Sequence, residues 1–493
     1  MRLALDAGAR RTDGGRVLIG GAPLRVLRLT AAGARALDAL EAGAPVGVAP
    51  TSQWLARRLL DAGVAHPRPA TAPFAVCIVI PVRDRPAGLA STLDALSGVA
   101  GGRVAGGGVA GGGAVGGGAV GGGARLVDGV EVVVVDDGST GEGTSLVASR
   151  AGATVLRHAA PHGPGAARNT GAKATHTEII AFVDADCAPP AGWLDALLPH
   201  FTDEAVGAVA PRVVAGGRVG APAWLEAYER SRSPLDRGPA EAPVRPRGAV
   251  PFVPAAALLV RRQAFEEVGG FDEGMPVGED VDFVWRLADA GWTVRYEPAV
   301  AVVHPVRPDI VAWLRQRYGY GTSAAPLASR HAGAVAPLTV SAWSALTWAL
   351  AALRRPLAGA SVAAATTALL ARRLGALEHP AQEAFALAGK GHLAAGRLCA
   401  DAVRRPWWPL ALIVALLWRR ARPGVAAAFL VPPAMEWVQQ RPQVGLARWL
   451  AARVADDMAY GAGVWAGALR MRSLGALAPD LSNWPGRRPA VEG

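Results

Sequence analysis

Residues 178–187 read EIIAFVDADC, an apolar run that passes without a break into two carboxylates spaced two residues apart, Asp184 and Asp186. A continuous run of this kind fits a strand covered on both faces. Its ending has two readings. One is a strand edge running into a solvated turn. The other is a pair of oxygen ligands for a divalent cation and, through it, a diphosphate. The flanking sequence has to choose between them.

Upstream, the same rhythm repeats. FAVCIVIP (74–81) is a buried run stopped by Pro81, RPAGLASTLDAL (85–96) a helix, VEVVVVDDGST (130–140) a second strand and TSLVASRAG (144–152) a helix. ATVLRHA (153–159) is a third strand, and GAARNTGAKAT (165–175) a helix opening at glycine. Apolar strands alternating with helices predict an α/β fold, a mainly parallel sheet with helices on both faces. Ligands bind such sheets at the carboxyl ends of the strands. The polar residues gather there: RDR after the first strand, DDGS after the second, DAD after the fourth. Residues 97–125 form a Gly/Ala/Val tract with no GxGxxG between a strand and a helix. It reads as a flexible insertion in a surface connection.

Two flanks differ in texture. Residues 1–70 predict a small α+β module of winged-helix type: GRVLIGGAPLRVLRLT alternates like a hairpin around Gly-Gly, ARALDAL and SQWLARRLLDAG have helical spacing, and HPRPATAP reads as a linker. Residues 335–475 predict an apolar helical region. APLTVSAWSALTWALAAL approaches the ~20 residues of a membrane span, and WWPLALIVALLWRR carries tryptophans at both ends and arginines outside. The expectation is a membrane-associated helical region, interfacial, re-entrant or of tilted short spans, with a soluble helical domain of buried Ala/Leu helices as the alternative.

The chain has 493 residues, 51% of them hydrophobic, and a net charge of +11, enough for two or three structural units. Its arginines are scattered, often as pairs beside apolar runs, which favours a membrane surface over nucleic acid. The three cysteines, Cys77, Cys187 and Cys399, form neither a CxxC pair nor an even framework, so reduced thiols are the simplest reading. MRLALDAGARRTDGG lacks the apolar core of a signal peptide, which puts the expected location at the cytoplasmic face of the membrane.

DDGS (136–139) at the end of the second strand would also suit the ribose-binding acid of a dinucleotide enzyme. That requires a glycine-rich turn after the first strand, and PVRDRP stands there instead. A nucleotide-sugar site needs an acceptor for the base, a cation for the diphosphate and a general base for the incoming hydroxyl. The acids of GEDVDFVWRLADAGW (278–292) open a helix, where they also complement its dipole. A carboxylate so placed beside a pocket can accept a proton.

IVIPVRDR, VVVVDDGST, GPGAARNTGAKAT, FVDADC and GEDVDFVWRLADAGW resemble, in order and spacing, the family 2 glycosyltransferases of GT-A fold, over residues 74–325. The resemblance implies that Asp137 contacts uracil, with Pro81, Val82 and Arg85 around the nucleotide. Asp184 and Asp186 correspond to the DxD, Asp186 being the ligand of Mg²⁺ or Mn²⁺ with His304 beside it. Asp280 becomes the catalytic base, with Glu279, Trp285 and Arg286 on the acceptor side. LRQRYGYG (314–321) lacks the tryptophan of the processive members, which speaks against long-chain polymerisation.

VPAAALLVRRQAFEEVGGFDEGMPVGEDVDFVWRL (253–287) narrows the resemblance to members that glucosylate a peptide-derived redox cofactor precursor. It implies UDP-glucose as donor and a short β-linked oligoglucoside as product. LIGGAPLRVLRLTAAGARALDALEAG (18–43) looks like the PqqD-like modules that recognise pathway peptides. Two alternatives stay open: a lipid or cell-surface glycan acceptor, and an inactive peptide-binding scaffold.

Overall fold

The computed structural model describes residues 1–97, 130–217, 220–375 and 377–482. Beyond Ser97, the glycine-rich insertion lies outside them. The chain divides into two compact units, Met1–Arg218 with Arg232–Val306, and Val219–Ser231 with Arg307–Gly493. Residues 307–325, expected with the sheet, therefore belong to the second unit.

The first unit is built on eight strands: β1 (Val76–Val82), β2 (Glu131–Asp136), β3 (Thr154–Arg157), β4 (Ile179–Val183), β5 (Val206–Ala215), β6 (Ala242–Pro243), β7 (Ala257–Arg261) and β8 (Thr293–His304). Their order across the sheet is β6-β8-β5-β7-β4-β1-β2-β3. β3, β2, β1 and β4 are parallel neighbours. Helices α1 (Pro86–Ser97), α2 (Gly143–Arg150) and α3 (Pro164–Lys173) lie in their connections, as crossovers between parallel strands require. β7 runs antiparallel to both β4 and β5, while β5 and β8 are again parallel. The core lies in the apolar runs: Ile78, Ile80, Val132, Val134, Ile179, Ala181, Val183 and Val209 are buried together. Helix α4 (Glu279–Asp289) leads into β8.

The N-terminal residues fold as an antiparallel three-stranded sheet (Arg10–Thr12, Val17–Gly20, Arg25–Arg28) and two helices, Ala31–Glu41 and Pro50–Asp61. Leu3, Leu18, Leu37, Leu55, Leu59 and Val64 form a core of their own. His66–Arg68, expected in a linker, belongs to a strand, Ala65–Arg68, paired with Arg2–Leu5. That pairing places Arg68 against Glu241 at 2.8 Å, while Arg57 donates to Asp203 at 3.0 Å and to Thr293 Oγ1 at 2.8 Å. The module is thereby tied to the sheet domain within one unit.

The second unit is helical: α5 (Ile310–Thr322), α6 (Ala324–Arg330), α7 (Ala342–Ala352), α8 (Pro356–Arg373), α9 (Pro380–Arg404), α10 (Trp408–Leu417), α11 (Arg422–Gln440) and α12 (Leu446–Met471), with Ala223–Arg232 joining them. The apolar stretch that approaches a membrane span is divided. Thr339–Ser341 is a strand paired with Asp480–Ser482, and only Ala342–Ala352 is helical. Among the described residues no helix is long and apolar enough to cross a membrane.

Candidate active site

The loops that follow β1 and β2 are bonded to each other. Val82 is buried and its carbonyl accepts from the Asp137 amide at 2.8 Å, while Pro81, the residue before it, is half-buried. The exposed Asp84 accepts from the Thr140 amide at 2.8 Å, while its own amide donates to Ser139 Oγ at 2.9 Å. Asp136 is buried and accepts from the Ser139 amide and Ser145 Oγ, which closes the turn. Gly138 has φ +67°, and a Cβ there would lie 2.6 Å from the Ala160 carbonyl carbon, so no larger residue fits this turn.

Asp137 holds the next loop. It accepts from His158 Nδ1 at 2.7 Å, the His162 amide at 2.9 Å and the Gly163 amide at 2.8 Å. Burial pushes its pKa up, but these donors outweigh burial and keep the carboxyl below its ordinary range. Asp137 therefore stands ionised beside the α3 entry.

The two aspartates that end β4 have different surroundings. Asp184 accepts from Arg168 Nη2 at 2.8 Å, and Arg168 Nη1 donates to Glu279 at 2.8 Å. Arg168 is buried on α3, and its guanidinium joins the end of β4 to the start of α4. Asp186 is reached by the exposed Arg85 through Oδ2 and lies 3.7 Å from His304 Nε2 through Oδ1. A Cβ on Gly88 would approach the Ala185 carbonyl to 2.9 Å, so α1 and the Asp-Ala-Asp turn meet only because residue 88 is glycine.

His304 arrives from 118 positions further along the chain by a backbone route. The Ala188 amide donates to the Val303 carbonyl at 2.9 Å, and the reverse bond is 3.2 Å, which sets the end of β8 against the Asp-Ala-Asp turn. His304 Nδ1 lies 3.0 Å from the Pro305 carbonyl. A carbonyl only accepts, so Nδ1 donates and Nε2 is the ring nitrogen that faces Asp186. These two residues fit a hard divalent cation. Cys187 belongs to the same cluster of ligand atoms, within 4.8 Å. Burial, with Asp184 and Asp186 beside it, pushes that thiol well above its ordinary range, and a protonated sulfur is a poor ligand for such a cation.

Asp280 is the second residue of α4, which opens at Glu279 after Gly278. Its Oδ1 accepts from the Val281 amide at 2.8 Å and Oδ2 from the Ala255 amide at 3.3 Å. The neighbouring Ala256 carbonyl accepts from the Asp184 amide at 3.0 Å. The segment Ala255–Ala256 thus lies between the main chain of Asp184 and the carboxylate of Asp280. Burial raises the carboxyl pKa of Asp280 against the opposing pull of Arg168, and burial together with the Asp280 charge raises that of Glu279.

Trp285 and Arg286 are spent within the fold. Trp285 is buried and its indole donates to the Pro251 carbonyl at 2.7 Å. Arg286 donates to Asp282 at 2.7 Å and to the carbonyls of Val268 and Gly270. Both hold the segments around Pro251 and Val268–Gly270 against α4, and Glu279 holds Arg168.

Two functional residues went unassigned in the sequence. Arg168 is one. The other is Asn169, whose amide brackets Phe271: Nδ2 donates to its carbonyl at 2.8 Å and Oδ1 accepts from its amide at 2.9 Å. This fixes the loop before Gly278. A signal for both was present, since an Arg-Asn pair inside a helix of glycines and alanines has to find buried partners.

Comparisons with known proteins point to glycosyltransferases. The model of "Glycosyl transferase family 2" matches residues 124–269. A "Pre-mycofactocin glycosyltransferase" of Mycobacterium tuberculosis is 39% identical over 491 residues, covering 97% of each chain. "Glycosyltransferase AglE" of Haloferax volcanii is 32% identical over 185 residues, 36% of this chain and 57% of that one. Among solved structures, a mannosyltransferase from Pyrobaculum calidifontis in complex with GDP-Man and Mn²⁺ aligns with TM-score 0.43 and 17% identity, covering 83% of this chain and 93% of that one. That likeness is too loose to transfer a ligand.

Proposed function

The chain belongs to the pre-mycofactocin glycosyltransferases of glycosyl transferase family 2, and on that premise we propose that it moves glucose from UDP-glucose onto the peptide-derived mycofactocin precursor, building a short β-linked oligoglucoside. The observation that carries the reaction type is the Ala255–Ala256 segment, which bonds Asp184 on one side and Asp280 on the other. The end of the strand that carries a donor-binding carboxylate is then fixed beside a base, as a single displacement needs.

In this mechanism Asp280 takes the proton of the acceptor hydroxyl. The hydroxyl oxygen forms its bond to the anomeric carbon as the bond from that carbon to the diphosphate oxygen breaks on the opposite face. UDP leaves, and the α-linked donor becomes a β-glycoside. A raised carboxyl pKa makes Asp280 the stronger base while it remains ionised. Arg168 holds Asp184 and Glu279 at fixed distance and keeps the pocket's carboxylates from repelling one another apart. A divalent cation on Asp186 and His304 would supply positive charge for the leaving diphosphate. Arg85, exposed beside Asp186, adds a further cation at that end. The N-terminal module, held to the sheet domain through Arg57 and Arg68, would serve recognition of a pathway peptide.

Mass spectrometry of the purified chain with Mn²⁺ or Mg²⁺, UDP-glucose and the precursor tests this directly. Stepwise hexose additions with wild type and none with Asp280→Asn are expected. Hexose transfer only to lipid or glycan acceptors would move the assignment to those. Absence of cation-dependent UDP release with any acceptor would leave the peptide-binding scaffold.

A further inference from the structure

We propose that α10 and the outward stripe of α11 insert into one leaflet of an anionic lipid bilayer. α10 has the sequence WPLALIVALL, without a single charged side chain. Ala411 alone is buried in it. Leu410, Leu412, Ile413 and Val414 are exposed, and Leu416 and Leu417 are 73% and 83% exposed. A helix that is apolar all round belongs in an apolar medium. Left in water, a contiguous apolar surface of this kind marks an interaction site.

α11 is built inside out. Glu436 is 3% exposed and bonded to Arg453 at 2.9 Å and Arg397 at 2.7 Å, on the inward side with Pro432 and Pro433. Leu430, Val431, Met435 and Val438 are exposed, and three of them recur at the i, i+4, i+7 spacing of one helix face. A helix packed in water puts its charges out and its leucines in. Here both are reversed. Arg422 Nε donates to the Ala415 carbonyl at 3.0 Å, which joins the two helices as a hairpin.

Length and charge select the occupant. Ten residues of helix extend about 15 Å, half of a hydrocarbon core of about 30 Å. That suits one leaflet, in keeping with the lack of a spanning helix among the described residues. At the carboxyl end the exposed Trp418 is followed by exposed Arg419, Arg420 and Arg422, the arrangement that places an indole at the interface and guanidinium groups among lipid phosphates. No acidic residue occurs from Trp407 to Met435. Two copies of the chain apposed on this surface would bring arginine against arginine, whereas anionic headgroups supply the missing charge.

The full-length chain would be sedimented with vesicles of phosphatidylcholine alone and of equal parts phosphatidylcholine and phosphatidylglycerol. Wild type is expected to sediment with the anionic vesicles and less with the neutral ones. Leu416→Glu with Leu417→Glu should lower the bound fraction about tenfold or more, with the same thermal melting and the same transfer to a water-soluble acceptor. Arg419→Gln with Arg420→Gln and Arg422→Gln should abolish the preference for phosphatidylglycerol. Undiminished vesicle binding by the leucine variant would overturn the proposal. So would a lipid-free dimer of the wild type that the same variant dissociates. Because the readout is lipid, it stands or falls independently of the sugar and the acceptor.

Discussion

Both units bury carboxylates, and the number of cations beside each carboxylate differs. In the helical unit Asp457 meets Arg404 and Arg453, Glu436 meets Arg453 and Arg397, and Asp456 meets Arg317 and the Tyr228 hydroxyl. Glu229 accepts from Arg317 and the Trp313 indole. In the sheet unit Asp184, Glu279 and Asp280 surround a single buried guanidinium, Arg168, and Asp280 is bonded to backbone amides alone. Burial pushes up the pKa in both places. For Asp457 it is outweighed by Arg453, Arg405 and Arg404, and the carboxyl falls below its ordinary range. For Glu279 and Asp280 it prevails. Burial also prevails at Glu229, which shares Arg317 with Asp456, so the ratio of cation to carboxylate sets the direction of the shift.

Asp280→Asn gives the sharpest test of that contrast. Transfer should fall by about 10²–10⁴-fold while calorimetry still finds nucleotide-sugar binding. Joint loss of both would class Asp280 with the structural acids. Asp457→Asn should act in the reverse sense, lowering stability in denaturant unfolding by about 3–5 kcal/mol and leaving transfer per folded molecule unchanged. His304→Ala, removing a ring nitrogen aimed at Asp186, should weaken activation by Mn²⁺ at least about tenfold, read by titrating the cation into the assay after chelation.

The smallest effect is one of pH. Asp280 must be ionised to accept a proton, so the rate should decline on acidification through a value above the ordinary carboxylate range, visible in the acid limb of the pH profile. Stability should show the two signs separately. A carboxyl with raised folded pKa contributes stability below its unfolded pKa and loses it as pH rises through the folded value. Asp457, with a lowered one, contributes above the unfolded pKa and loses it as pH falls. Equal acid limbs for wild type and an Asp457→Asn variant would keep the two clusters apart.

What could be read from the chain alone was whatever depends on neighbours in sequence. Apolar runs announce β1, β2 and β4, and the acids after them announce a ligand end, because a strand covered on both faces has to be apolar until it leaves the sheet. The direction of β7 could not be read, since ALLVR is buried throughout and a two-sided burial leaves the same composition in either orientation. Nor could the split of residues 336–353 into strand and short helix, because apolar length says nothing about where a chain turns. The DxD, Asp280 and His304 were legible as residue types at strand and helix ends. Their assembly was decided by the fold: a bridge from Ala188 to Val303, the Ala255–Ala256 segment between two aspartates, and one arginine in a helix of small residues. Such contacts join residues 16 to 118 positions apart, and only a packed sheet, which lowers the entropic cost of bringing them together and excludes the water that would separate them, makes them a site.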